Sequence, residues 1–503
     1  MTIEYLKQKF PPKPFDEDYE HMHFFRDLYE GNHKDIFPRA QEIGKQTVRS
    51  QYKLKRYNYR YMSSLKKKLE NQSSETHYVM VNLASSVVEL PADLINRSIG
   101  NISGDTETEE ELLAFVGSIT TTSKAKSKLW PAIVQHQVDG GVAYRVRMSQ
   151  SNTVYFEWKE ADIYFEHGDG FGADFAWTEE VGDETYLRVE RQRLEEDGLV
   201  LSQLVFAMNG EQVEKELDFT LFAEQHGIEL EAITLLPGVT ELMCGYVPND
   251  ETLMRPRGRS ALRNIAEIQE EINWTITRDS IVFEKHGKPK LAIPKRLWDS
   301  VANHNHSNYG SHFVRNADLE VVSYDENNGA VPMYITWDAQ TEQSFKHVSR
   351  LIEYMMSVSK TAATAIGLGK VGGTLSAKAI LYEWIQSVIK AEAIRSKFDI
   401  AMKDAYRKCM VLSNALNGTT FTVQTPVIEW KDMLPKADSE NDEQEAAKYE
   451  KGVQSLESTI RNLHPDWSEN AIQDEIKKIQ DEQMVDSLNP TFTQPPRSSI
   501  GSE

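Results

Sequence analysis

Cysteine and long apolar runs are what this 503-residue sequence has least of. Cys244 and Cys409 are the only cysteines and lie far apart, so they build neither a disulfide framework nor a zinc-binding cysteine cluster. No apolar run approaches the roughly 20 residues needed to cross a bilayer, and the first residues lack a basic stretch followed by an apolar core. We therefore expect a protein made in a reducing cytosol, soluble there and without a membrane partner.

Basic residues are also fewer than acidic residues in this sequence. The chain has 56 Lys and Arg against 77 Asp and Glu, a formal net charge of −21. This balance repels phosphate backbones and anionic membranes, which excludes a protein that grips nucleic acid over its whole surface. A local exception lies between Arg49 and Lys68, where basic residues alternate with tyrosines. It predicts either nucleic-acid contact through phosphate pairing and stacking, or a solvated helix face or contact with an acidic neighbour.

Catalytic and ligand-binding motifs are a third absence. Gly367–Thr374 resembles a phosphate-binding loop, but Gly373 stands where that motif needs lysine, and the segment follows an amphipathic pattern rather than a strand. His304 and His306, with His312 nearby, have no carboxylate or cysteine at metal-ligand spacing, so a polar loop tip is the alternative to a metal site. Acidic pairs are too frequent to single out a general acid and base. We therefore predict no catalytic residue, no cofactor, no metal and no enzymatic activity.

The feature that dominates the sequence is a helix, a glycine-rich break and a much longer helix. Apolar residues recur at three- and four-residue steps from about Asp338, a potential N-cap, to about Ala362. Four glycines then fall within seven positions, which predicts a break over residues 363–377. From Ser376 to about Leu416 the helical period continues over roughly 40 residues, or about 60 Å of helix. Its predicted buried row is Trp384, Val388, Ala391, Phe398, Met402, Ala405, Cys409 and Leu412.

Before this feature the chain is mixed. An apolar segment over residues 78–100, punctuated by Pro91, predicts a strand or turn followed by a helix, and Glu107–Glu111 predict an acidic helix start. Between Gly140 and Pro248 the apolar period changes to two, which predicts a region of antiparallel strands. The strand-like runs are Val142–Arg147, Val154–Trp158, Tyr186–Glu190 and Leu204–Phe206.

Further elements surround the glycine break. Ser260 is a potential cap for a helix reaching roughly His286, and residues 288–337 then form a small mixed insert with strand-like runs at 290–293 and 319–322. After the long helix, residues 421–423 and 427–430 read as strands. The chain is helical again from about residue 440, and its end is rich in serine and proline. The pattern predicts an α+β protein.

The order of these parts resembles the portal, or head-to-tail connector, proteins of tailed double-stranded DNA bacteriophages. In that family a mixed wing is followed by a stem helix, a small α/β clip, a second stem helix, a tunnel loop, a long wing helix and a helical crown. Three pieces carry the resemblance: Tyr78–Leu83 with its following apolar helix, the glycine-rich loop before Leu375–Ala379, and Ile428–Pro435. The last piece continues into Gln454–Ile460, His464–Trp467 and Glu475–Ile479.

The resemblance implies a mainly helical portal fold with small antiparallel β regions. The implied bounds are 1–257 for the wing, β-rich over 140–248, 258–287 for the first stem helix, 288–337 for the clip, 338–362 for the second stem helix, 363–377 for the tunnel loop, 378–436 for the long wing helix and following strands, 437–485 for the crown and 486–503 for a disordered tail.

The resemblance also implies a function. Portals form rings, commonly dodecamers, that occupy one capsid vertex of the virion at the head-tail junction after assembly in the host cytoplasm. They pass double-stranded DNA through a central channel during genome packaging and ejection. Their partners are the large terminase, the head-completion or connector proteins, and the major capsid and scaffolding proteins. An acidic lumen suits such a channel, because each phosphate neutralised would retard a moving duplex.

Carried over to this sequence, the resemblance places the DNA-facing tunnel loop at Gly367, Gly369, Lys370, Val371, Gly372, Gly373 and Thr374, with Lys378 at the start of the long helix. Lys370 and Lys378 either make light contacts with phosphates or solvate the loop and pair with a neighbouring subunit's carboxylate. Two other functions stay open: a DNA-acting enzyme of the packaging apparatus, such as a nuclease or translocase, and a capsid or scaffold protein.

Overall fold

The structure is a computed structural model, and it describes a large part of the chain in two units. It describes residues 2–41, 78–103, 110–149, 151–182, 184–227, 233–286, 290–294, 320–324, 333–335, 341–368, 377–434, 445–464 and 472–480. The chain divides into two compact units, Met1–Met433 and Leu434–Glu503. The division lies close to residue 437, where the crown segment is predicted to begin.

The helices of the first unit follow the apolar periods of the sequence. They are α1 (Asp16–Glu30), α2 (His33–Ile36), α3 (Leu83–Ser98), α4 (Glu110–Thr122), α5 (Leu129–Asp139), α6 (Phe219–His226), α7 (Ala266–His286), α8 (Thr341–Ser359) and α9 (Ala377–Asn417). Side-chain caps fix two of their starts: Asn82 accepts from the backbone of Ser85 before α3, and Asp218 accepts from Thr220 before α6. The predicted long helix is confirmed, since α9 runs for 41 residues. Of the predicted break over 363–377, residues 363–368 are described and hold no α-helix, whereas 369–376 lie outside the described residues.

The strands of the same unit form small sheets. They are β1 (Ile99–Ser103), β2 (Gly141–Met148), β3 (Val154–Glu160), β4 (Tyr164–Glu166), β5 (Gly172–Val181), β6 (Glu184–Glu195), β7 (Gly198–Asn209), β8 (Gln212–Leu217), β9 (Ile233–Pro237), β10 (Cys244–Pro248), β11 (Lys290–Pro294), β12 (Glu320–Tyr324), β13 (Met333–Ile335) and β14 (Val427–Trp430).

The sheet topology confirms the antiparallel region predicted over 140–248. One sheet has six strands in the order β4-β5-β6-β7-β8, with β9 also paired to β7, and a three-stranded sheet has the order β10-β2-β3. In the predicted insert, β11 pairs parallel with β12 and antiparallel with β13. β1 pairs antiparallel with β14 across a long stretch of sequence. The protein is therefore α+β.

The C-terminal half of α9 packs against several other elements of the first unit. It buries one row of side chains against α3, the β10-β2-β3 sheet and β14. The ring of Phe398 lies 5.2 Å from those of His136 and Trp158, and Tyr406 lies 5.4 Å from Phe156. Of the predicted row, Ala391, Phe398, Met402, Ala405, Cys409 and Leu412 are buried, whereas Trp384 and Val388 are half-buried. Burying such a row supplies the main stabilisation of a helix of this length.

Buried ion pairs connect elements that are distant in sequence. Arg26 of α1 donates from Nε to Asp139 at 2.8 Å and from Nη1 to Asp162 at 2.7 Å, which joins α1 to α5 and to the turn before β4. Burial raises the pKa of Asp139, and the guanidinium opposes that rise. Arg145 of β2 bonds Glu157 at 2.7 Å and also bonds Glu190 of β6, which joins the two larger sheets. Removing one member of such a pair leaves an uncompensated buried charge.

The predicted start of the helix after Ser260 is wrong. The helix begins at Ala266, whereas the first stem segment is predicted to begin at 258. The preceding N–H groups bond other parts of the fold: Arg259 donates to Asn249 at 2.9 Å and Ala261 to Gln137 at 2.9 Å. The Ser260 hydroxyl does accept from the Leu262 N–H at 3.1 Å, as a cap would. The N–H groups of Arg263 and Ile265, however, donate to carbonyls three residues back, at Ser260 (3.4 Å) and Leu262 (3.1 Å), so residues 261–265 form turns and the regular helix begins at residue 266.

The predicted strand at 421–423 is also wrong. The backbone N–H of Phe421 donates to the Asn414 side chain at 3.0 Å, and the Asn414 amide donates to the Phe421 carbonyl at 2.9 Å. One asparagine therefore takes both backbone groups that a neighbouring strand would need. The helix predicted over 338–362 is α8, which runs from Thr341 to Ser359. Its proposed cap, Asp338, lies outside the described residues.

The second unit is helical where it is described, as the sequence predicts. Helix α10 (Leu456–Leu463) is capped by Ser455, whose hydroxyl accepts from the Ser458 N–H at 3.2 Å. Residues 445–450 and 472–480 are also helical, and Ile460, Ile472 and Ile476 form a small apolar core. The predicted basic run at 49–68, the histidines at 304–312 and the tail at 486–503 lie outside the described residues.

Gly140, at the end of α5, provides a test of backbone packing. Its φ is +88°, and a Cβ there would lie 2.6 Å from the carbonyl carbon of Arg259. Gly238 has a similar φ of +77° with nothing within 4 Å of a Cβ, so it is a matched control. We expect Gly140→Ala to lower the free energy of unfolding by about 3 kcal/mol and Gly238→Ala by about 1 kcal/mol, measured by urea denaturation. Equal losses would contradict the close backbone approach.

Candidate functional site

The base of the glycine-rich loop is the part of the predicted site that the structure describes. Helix α8 ends at Ser359, and Lys360 takes a φ of +54° in the left-handed region. The N–H of Thr361 then donates to the Met356 carbonyl at 2.9 Å, which satisfies one of the open carbonyl groups at the helix end. The chain therefore leaves α8 in a fixed direction.

A short 3-10 turn, Ala363–Ile366, follows and ends at Gly367. Gly367 has a φ of +79°, and a Cβ there would meet nothing within 4 Å. There is room for a side chain at this position, so the positive φ is the reason that glycine is favoured here. The N–H of Leu368 closes the turn by donating to the Ala363 carbonyl at 2.9 Å.

The structure describes little of the remaining residues predicted for the tunnel loop. Gly369, Lys370, Val371, Gly372, Gly373 and Thr374 lie outside the described residues, within 369–376. Lys378 lies in the first turn of α9, where the backbone is described but this side chain is not. The structure therefore shows the two helices that bound the loop and the segment that leads into it.

Two side chains of α9 hold this segment. The buried hydroxyl of Ser387 accepts from the Ala362 N–H at 2.8 Å and donates to the Lys360 carbonyl at 3.3 Å. The indole N–H of Trp384 donates to the Thr364 hydroxyl at 3.0 Å. The exit from α8 is therefore bonded to α9 on the far side of the loop.

Lys390 connects three helices at the same place. Its Nζ donates to the Ser359 carbonyl at the end of α8 at 3.2 Å and to the Val87 carbonyl of α3 at 3.4 Å. Pro91 stands four residues after Val87 and has no N–H, so the Val87 carbonyl lacks its usual helical donor. The Ser359 carbonyl lies in the last turn of α8, where helices leave carbonyls open. One ammonium of α9 thus satisfies a carbonyl in each of two other helices.

The surroundings of Lys390 disfavour its charge. Burial is the main cause and the nearby charge of Lys360 the lesser one, and together they lower its pKa to about 8. The ammonium is thus charged at neutral pH but close to losing its proton in mildly alkaline solution. The link between α3, α8 and α9 is therefore sensitive to pH.

Apolar side chains line the outer surface of the helices that surround the loop. On α8 they are Phe345, Tyr354 and Val358, on α7 Phe283, and on α9 Tyr382, Ile385, Ile389 and Ile400. α7 and α8 lie side by side, because Ser344 bonds Asp279 and the rings of Phe283 and Phe345 are 6.5 Å apart. Exposed apolar residues on two adjacent helices, and at helical spacing on α9, are typical of a protein interaction site.

The described residues also bear on metal binding, membrane insertion and thiol chemistry. In the part of the chain that the structure describes, no group of three or more His, Cys, Asp or Glu side chains could hold a metal ion. The described helices include none long and apolar enough to cross a membrane. Both cysteines are free and buried, and burial raises the pKa of the Cys244 thiol to about 12. Neither thiol is therefore an activated nucleophile.

The sequence interpretation missed Ser387 and Lys390, and it assigned Trp384 only to a buried row. Pro91 inside an apolar helical pattern was the one available signal, because it implies an open carbonyl at Val87. No local pattern identifies a partner about 300 residues away, however. The position of Lys390, directly before the buried Ala391, also indicates a lysine near the core that needs polar partners.

Comparison with known proteins identifies no family for this chain. The sequence matches no protein-family model, and no curated protein is similar to it at a significant level. The resemblance to portal proteins therefore rests on the order and character of the elements.

The lowered pKa of Lys390 predicts how stability changes with pH. Between about 8 and the ordinary lysine value near 10.4, the unfolded chain binds more protons than the folded one, so stability rises with pH. We expect the wild type to gain about 1 to 2 kcal/mol of unfolding free energy from pH 7.5 to 9.5 relative to Lys390→Met. Exposed Lys346→Met on α8 is the control and should follow the wild type. Parallel curves for all three proteins would rule out the buried charge.

A double-mutant cycle tests the link to Pro91. Lys390→Met leaves the Val87 carbonyl without this donor and the Ser359 carbonyl with only the Thr361 hydroxyl at 3.4 Å, which costs about 1 to 3 kcal/mol. In a Pro91→Ala background the new N–H at residue 91 can donate to Val87, so the same substitution should cost about 1 kcal/mol less. Urea denaturation of the four proteins at pH 7 measures the difference. Additive losses would show that Lys390 does not act through the Val87 carbonyl.

Proposed function

We propose that this chain is a portal protein, which forms a ring at one capsid vertex of the virion and passes DNA through its centre. The observation that carries the proposal is the order of α7, a small mixed sheet, α8, a break and the 41-residue α9. This is the order of first stem helix, clip, second stem helix, tunnel loop and long wing helix in portal proteins. The strand-rich region before α7 and the helical unit after β14 agree with a wing and a crown.

The exposed apolar faces support assembly into a ring. Phe283, Phe345 and Tyr382 lie on the three helices that in a portal surround the channel, and each is exposed in the single chain. Copies that pack against one another through two different surfaces form a closed ring when the rotation between them closes. Such packing would cover these side chains, whereas a monomer would leave them in water.

The charge of the chain supports a channel through which DNA slides. A net charge of −21 per copy opposes tight binding to phosphate, and a ring multiplies it. Lys370 and Lys378 would then supply brief phosphate contacts from the loop and the start of α9. Genome packaging and ejection are the processes served, with the large terminase, connector, capsid and scaffolding proteins as partners.

Assembly state and turnover test the proposal together. Phe345 on α8 and Leu221 on α6 are each 58% exposed, so Leu221→Asp is a matched control for Phe345→Asp. We expect the wild type and Leu221→Asp to form one large assembly, and Phe345→Asp to lower the assembled share about tenfold because it buries a carboxylate. Gel filtration with light scattering measures the share.

The same preparations distinguish the alternative functions. We expect no ATP hydrolysis and no DNA cleavage from the assembly. A monomer that turns over ATP or cuts DNA would contradict the portal and favour a DNA-acting enzyme. If Phe345→Asp leaves the assembly unchanged, the exposed face of α8 is not part of the interface between copies.

A further inference from the structure

An apolar turn projects from the first unit just before α7. The backbone N–H of Arg255 donates to the Thr252 carbonyl at 2.9 Å, and that of Thr252 donates to the Arg255 carbonyl at 3.2 Å. Between them Leu253 and Met254 are 106% and 92% exposed, the most exposed large apolar side chains of the described residues. Full exposure of two adjacent apolar side chains costs free energy that a partner surface would recover.

The turn is held rigidly at its base. Lys397 of α9 donates to the Pro248 carbonyl at 2.9 Å and pairs with Glu251 at 2.6 Å. On the other side, Arg259 pairs with Asp250 at 2.6 Å. Because both flanks are fixed, the turn does not fold back to cover Leu253 and Met254. A fixed apolar tip loses little conformational entropy when it binds.

A complementary surface lies on α9 of the same chain. Tyr382, Ile385 and Ile389 follow at steps of three and four residues, so they form one stripe, and Tyr382 is 74% exposed. Lys397, which anchors the turn, lies about two helical turns beyond Ile389. The turn nevertheless leaves the stripe of its own chain uncovered.

We propose that the Leu253–Met254 tip of one copy packs on the Tyr382–Ile389 stripe of the next copy. The inference rests on the ring proposed above and names one contact between its neighbours. Tip and stripe are different surfaces, so the contact is head-to-tail and can repeat around a closed ring. An apolar tip on an apolar helix face is the kind of contact that contributes most to an interface.

Charges beside the two surfaces are also complementary. Arg255 directly follows the tip, and its side chain is exposed. Its guanidinium lies 3.8 Å from the Asp18 carboxylate, which is a weak ion pair. Glu392 stands seven residues after Ile385, so it continues the stripe on the same helix face, and its partner Arg395 is also 3.8 Å away. When the tip lies on the stripe, Arg255 of one copy can pair with Glu392 of the next, which orients the contact.

Cysteine cross-linking tests the contact directly. Cys244 and Cys409 are buried, so Met254→Cys and Ile389→Cys introduce the reactive thiols. The double variant, oxidised as the full-length assembly, should give a ladder of linked chains on a denaturing gel, while each single variant should stay unlinked. A link confined to one chain, no link at all, or dimers from a single variant would overturn the inference.

Assembly variants separate this inference from the proposed function. Leu253→Asp/Met254→Asp should lower the assembled share about tenfold, whereas Phe171→Asp, at another exposed turn, should not. Arg255→Glu should weaken assembly, and adding Glu392→Arg should restore it. Circular dichroism checks that each variant is folded. Unchanged assembly in the tip variant would overturn the contact and leave the ring standing, whereas a monomeric wild type would overturn both.

Discussion

The structure depends on one long helix, α9, which carries apolar side chains along both of its halves. Along its C-terminal half, α9 buries Phe398 against His136 of α5 and Trp158 of β3, and Tyr406 against Phe156 of β3. Along its N-terminal half it bonds the exit from α8 on one side and leaves Tyr382, Ile385 and Ile389 exposed on the other. A helix of 41 residues is far longer than the average helix of a globular protein. The uncovered part is thus available to other copies.

The polar contacts at the break decide how firmly the loop is held. Ser387 and Trp384 bond the segment after α8, and Lys390 bonds the carbonyls of Ser359 and Val87. Each contact satisfies a backbone or hydroxyl group that would otherwise be open, so removing it costs the desolvation of that group. The segment up to Leu368 is therefore a fixed base from which the glycine-rich stretch continues.

Periodicity made most elements of this fold predictable. The helical period from Ser376 to about Leu416 predicted α9 to within a residue at each end, and alternation predicted the antiparallel strands after Gly140. The errors arose where hydrogen bonds form a turn in place of the predicted element: the Asn414 side chain bonds the backbone of Phe421, and the Ile265 N–H donates to the Leu262 carbonyl. The partners of Lys390 and Arg26 were unpredictable for a different reason, because long-range pairing leaves no local pattern.

Electron microscopy of the purified full-length chain tests the central claim most directly. The account predicts rotationally symmetric particles with a central hole wide enough for a duplex, because packing against other copies would cover the exposed faces of α7, α8 and α9. Separate small particles without a hole, at concentrations where the chain is folded, would contradict it.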